Sequence, residues 1–80
     1  MDKQHFTDEE AKAKGGTHVR SLIATAEVPQ GTNGVVIDIM AAGDGFDVCV
    51  EWHLEGAPDG IYQDWFSKDE YEQFLEEAAA

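Results

Sequence analysis

Phe46-Asp47-Val48-Cys49-Val50-Glu51-Trp52-His53-Leu54, residues 46–54, is the stretch on which the fold turns. Phe46, Val48, Val50, Trp52 and Leu54 alternate with Asp47, Cys49, Glu51 and His53. A strand sends successive side chains to opposite faces, so this is the pattern of a sheet with one buried face, and Trp52 is predicted inside. Just upstream, Asp44-Gly45 is a hairpin signal, because a primed turn needs positive φ and these residues accept it cheaply. The run before it, Gly34-Val35-Val36-Ile37-Asp38-Ile39-Met40, reads as the preceding strand, with Val35, Ile37 and Ile39 sharing the inner face and Asp38 in water.

Further out, Gly56-Ala57-Pro58-Asp59-Gly60 breaks the chain before a last strand over Ile61–Phe66. Alternation places one of Trp65 and Phe66 inside and the other outside. Pro29, Gly31, Asn33 and Gly34 mark a turn-rich loop, with Gly and Asn available for positive φ. A first strand is predicted from about Thr17, carried by Val19, Leu22 and Ile23. Ser67-Lys68-Asp69-Glu70 has the form of a capping box, with Phe66 placed to staple onto Tyr71. Tyr71, Phe74, Leu75 and Ala78 then fall at i, i+3, i+4 and i+7, the stripe of a C-terminal helix. Thr7-Asp8-Glu9-Glu10 is a second capping box, predicting a short helix that ends at Lys14 before Gly15-Gly16. With little apolar content, residues 1–16 read as a loosely attached arm and residues 17–80 as the folded body. Eighty residues allow one domain with one modest core.

The segment Val28-Pro29-Gln30-Gly31-Thr32-Asn33-Gly34-Val35-Val36 is similar to the Pro-x-Gly-Thr-x-Gly-x-Val turn-strand segment of bacterial SH3-like and KOW-like domains. The likeness spans roughly residues 17 to 66. It implies a mainly β chain: a small SH3-like barrel, or a partly open antiparallel sheet of four to five strands, with a C-terminal helix and a short N-terminal helical arm. Such barrels serve as accessory subunits of enzymes, the variable subunit of ferredoxin-thioredoxin reductase among them, and as ribosome- or polymerase-binding modules. The basic residues by which KOW-like domains meet RNA are absent from this chain.

Charge narrows the partners. Residues 21–80 hold thirteen of the seventeen carboxylates and one basic residue, Lys68, so the net charge of −12 lies on one contiguous stretch. An acidic body repels phosphate backbones and anionic lipid, which argues against direct nucleic-acid or membrane-surface binding and favours a cationic partner. Met1-Asp2-Lys3-Gln4-His5 has no apolar run behind its charges, so no secretory signal is expected, and Cys49, the one cysteine, cannot form an intramolecular disulfide. A soluble cytoplasmic protein is expected.

Candidate chemistry is sparse. Cys49, Glu51 and His53 should share the outer face of one strand, but structural zinc draws on two separated ligand pairs, so no metal or other cofactor is expected. Cys49 and His53 lie about 13 Å apart along a strand, too far for direct activation, and no catalytic residue is expected. Gly31-Thr32-Asn33-Gly34 lacks the Lys and the following helix of a phosphate loop. The reading is therefore a non-catalytic, acidic interaction module or accessory subunit that docks onto a basic protein through Asp47, Glu51, Asp64 and Trp65. The alternative is an inhibitor that imitates nucleic acid, and a small enzyme or metal carrier is the remaining option.

Overall fold

A computed structural model of the chain describes residues 4–25, 27–54 and 61–78. The described elements are α1 (Asp8–Lys14), β1 (His18–Ser21), β2 (Asn33–Ala42), β3 (Gly45–His53), β4 (Ile61–Phe66), α2 (Lys68–Phe74) and β5 (Leu75–Glu77). The chain is mainly β. Its five strands form one antiparallel sheet in the order β4-β3-β2-β1-β5. The predicted break at 56–60 lies outside the described residues. No described helix is long and apolar enough to cross a membrane.

β3 has the predicted register. Val48, Val50 and Trp52 are buried on the inner face together with Val19, Val36, Phe66, Tyr71 and Leu75. Gly34 lies directly opposite Trp52, and a Cβ there would sit 2.8 Å from both the indole and the Glu51 carbonyl, so only glycine lets the two strands close over the ring. Phe66 completes the packing edge-on to Trp52 at 6.2 Å between ring centres.

β2 departs from strict alternation. Val36 pairs with Val50 but Asp38 pairs with Cys49, leaving Ile37 as an extra residue. This bulge changes the face parity of the strand. Val36, not Val35, is therefore the buried residue, Ile39 packs on the core, Ile37 is exposed, and Asp38 faces water as expected. The hairpin also falls one residue earlier than Asp44-Gly45. Ala42 pairs with Gly45, so Gly43-Asp44 is the turn, and positive φ at Gly43 (59°) alone matches a primed turn with glycine first. Asn33 and Gly34 likewise belong to β2 rather than to the preceding loop, where Gly31 takes the positive φ. Leu22 and Ile23 lie beyond β1 and are exposed.

Both capping boxes form. The Ser67 hydroxyl accepts from the Glu70 amide at 3.4 Å, while the Glu70 carboxylate accepts from the Ser67 amide at 3.0 Å. Thr7 and Glu10 do the same for α1. Ser67→Ala should lower stability by about 1 kcal/mol, seen as a fall in the urea midpoint with unchanged slope. An unchanged midpoint would remove the cap from the list of stabilising contacts.

The terminal helix is shorter than the apolar stripe predicts. It ends at Phe74, and Leu75 turns to φ −125°, ψ 147°. Leu75, Glu76 and Glu77 then pair with Ser21, Arg20 and Val19. Arg20 and Glu76 form an ion pair at 3.0 Å, and Glu77 accepts from Lys14 at 2.7 Å and from the Tyr71 hydroxyl at 2.9 Å. The Lys14 ammonium, with Tyr71 second, holds the Glu77 carboxyl below the usual carboxylate range.

Residues 4–16, expected as a loose arm, are part of the body. Phe6 (2% exposed) and Ala11 (0%) belong to the core, and Phe6 meets Tyr71 edge-on at 5.5 Å. The Phe6 and Phe46 backbones exchange hydrogen bonds of 2.9 and 2.8 Å. Phe66 lies opposite Val48, two residues along β3, so Phe6 continues the row beside β3 where β4 stops. One aromatic at the right depth does what the low apolar content of the segment concealed.

Candidate outer-face site

The two helices bury Ala11 and Tyr71 in the core, so both pack on the inner face. Cross-strand partners share a face. On the outer face, therefore, Trp65, Cys49 and Asp38 form one row across β4, β3 and β2, and Gln63, Glu51, Val35 and His18 form the next across β4, β3, β2 and β1. With strands spaced about 4.8 Å apart, Trp65 and Asp38 are roughly 10 Å from each other. Trp65 is 39% exposed and Met40, also on this face, 49%. Phe66 is the inward member of the Trp65-Phe66 pair.

The four residues expected to contact a partner separate. Trp65 and Glu51 lie on adjacent rows of the outer face. Asp47 is on that face too, but its carboxylate is taken by the His5 ring at 2.8 Å, with both side chains largely covered. The His5 ring also packs against Gly43, so this contact fastens the N-terminal segment to the β2–β3 hairpin. Asp64 faces the other way, opposite Val50 and in the same register as Tyr62 and Phe66. Burial pushes the Asp64 carboxyl up, and the nearby charges of Glu70 and Glu27 add to that, against the Trp65 amide that it accepts from at 3.0 Å. Alternation along β4 alone separates Asp64 from Trp65 and could have shown this. Asp38, not singled out from the sequence, joins the site because the bulge places it opposite Cys49.

Cys49 is 2% exposed although it lies on the outer face between Asp38 and Trp65. Burial raises its thiol pKa, and the carboxylates of Asp38, Asp64 and Glu51 raise it further. The thiolate is therefore disfavoured, the reverse of an activated nucleophile. His53 is exposed and lies 3.5 Å from Glu51, not beside Cys49. Among the described residues no group of three His, Cys, Asp or Glu side chains is placed to hold a metal.

Internal cations are committed elsewhere. Lys12 pairs with Asp8, Lys14 with Glu77, Arg20 with Glu76 and Lys68 with Glu10. Among the described residues, then, no Lys or Arg neutralises Asp38 or Glu51 beside the exposed Trp65. No family model matches the chain, nor does any curated protein or solved structure.

Proposed function

We propose that this protein is a non-catalytic interaction module that docks onto a basic protein through the outer face of its sheet. The observation that carries the reading is the exposed Trp65 ring on the same face as Asp38 and Glu51, carboxylates that no described Lys or Arg reaches. An arginine suits such a place: its guanidinium stacks on indole while its donors meet a carboxylate. Held on strands of the sheet, Asp38 and Glu51 on interior ones and Trp65 on the edge strand β4, the three side chains need little ordering on binding. The SH3-like architecture belongs to the same proposal. It is supported by the sheet order β4-β3-β2-β1-β5, in which the last strand, entered through a short helix, returns to pair with the first. An accessory subunit docked on a larger enzyme is the role that architecture favours.

The test begins with affinity capture from the native cell and identification of the partner by mass spectrometry. Its association rate should fall on the order of tenfold between low and physiological salt, since exposed charges steer encounter and salt screens them. Trp65→Ala should weaken binding by about 2 kcal/mol, and the pair Asp38→Lys with Glu51→Lys should slow association further, with circular dichroism unchanged. An acidic partner, or a rate indifferent to salt and to both reversals, would end the proposal. Competition by duplex DNA for the captured protein would transfer it to nucleic-acid mimicry.

A further inference from the structure

We propose that the free edge of β4 takes up an extended, arginine- or lysine-bearing segment of the partner as a sixth strand. This rests on the cationic partner just proposed and adds the way in which it is held.

β4 ends the sheet: β3 pairs with it residue by residue from His53–Ile61 to Val48–Phe66, without a bulge. Among the described residues, no backbone hydrogen bond joins Ile61–Phe66 to anything but β3. Half of the strand's N–H and C=O groups therefore point outward, a template for another strand, although the Trp65 N–H among them is held by the Asp64 carboxylate at 3.0 Å, which an added strand would have to displace. Exposed edges are ordinarily blunted by proline, a bulge, extreme shortness or charged side chains, inward-pointing ones included, and on β4 the one such device is Asp64. The opposite edge, β5, is blunted in that way, with three residues, two of them glutamates. Ile61-Tyr62-Gln63-Asp64-Trp65-Phe66 has six residues, no proline and no lysine, and its register is regular.

Its one charge selects the occupant. Asp64 sits mid-strand in the field of Glu27 and Glu70, and Glu27 and Asp64 also raise the Tyr62 hydroxyl pKa. A second copy of this chain would bring another Asp64 and another body of net charge −12 to the same edge, so self-pairing is opposed. An added strand with a cation opposite Asp64 relieves that field, and its alternate side chains lie beside Gln63 and Trp65 on the outer face. Main-chain bonds would supply adhesion, and the Asp64 and Trp65 positions would supply selection.

The probe is an eight-residue peptide alternating Arg and Val, with two versions N-methylated at all Arg or at all Val amides. In a strand these two sets of amides point to opposite edges, so each version is blocked on one side only. The parent should bind and shift the Gln63, Asp64 and Trp65 amide resonances. One methylated version should bind like the parent and the other at least ~tenfold more weakly, because only one edge meets β4. Asp64→Lys should lose binding by a similar factor, with Asp64→Asn intermediate and both folded by circular dichroism. Equal binding by both methylated peptides, abolished by Trp65→Ala, would overturn strand addition while leaving outer-face docking in place. Failure of the parent peptide to shift β4 at millimolar concentration would also overturn it, as would a dimer paired through β4. Salt-indifferent capture of an acidic partner is the separate result that removes the docking reading itself.

Discussion

Trp52→Ala is expected to leave the chain largely unfolded at 37 °C. The indole is 1% exposed, lies against Gly34 across one strand pair and meets Phe66 edge-on, so its truncation opens a cavity at the centre of the core. Truncating a fully buried tryptophan costs about 3–5 kcal/mol. A chain of this length has in total about 4–12 kcal/mol, at roughly 0.05–0.15 kcal/mol per residue. The loss is therefore comparable to the whole stability. Urea unfolding followed by circular dichroism checks it. A variant that unfolds cooperatively within a few degrees of the parent melting temperature would mean that Trp52 is not the centre of the core.

Phe6→Ala should produce an effect of the same order, about 3–5 kcal/mol, although residue 6 lies near the chain's start. Its ring is buried against Tyr71, and its backbone extends the sheet alongside Phe46. Gly45 shows how closely the segment is fitted, since a Cβ there would sit 2.5 Å from the Phe6 carbonyl oxygen. Deleting residues 1–16 should do more, uncovering the inner face under Ala11 and releasing the His5–Asp47, Lys68–Glu10 and Lys14–Glu77 pairs. Hydrogen exchange at the Phe46 amide gives the local readout and should accelerate in the Phe6 variant. A truncated protein with native melting would restore the loose-arm picture.

The outer-face site was half legible. Period-2 reading along β3 placed Glu51 outside, and the same rule confines Trp65 and Phe66 to opposite faces, because alternation is a property of the strand itself. Along β2 the rule put Asp38 in water but could not set it opposite Cys49, a place that depends on the extra residue Ile37 in the same strand. Nor could it show that Asp47 is occupied, since His5 reaches it from 42 residues away.

What the sequence determined by itself was local: the β3 alternation, the two capping boxes at Thr7 and Ser67, a turn before β3 and the acidic balance of residues 21–80. Each is carried by neighbours within a few positions, where propensity, capping and pleat act directly. The tertiary structure decided where those signals compete. Leu75-Glu76-Glu77 continues the helical stripe of Tyr71 and Phe74, yet it becomes β5 because β1 offers an open ladder and Arg20, Lys14 and Tyr71 offer partners for the two glutamates. The bulge at Ile37 and the docking of Phe6 have the same origin. In all three, pairing and burial between segments distant in the chain outweigh a preference that local spacing expresses only weakly.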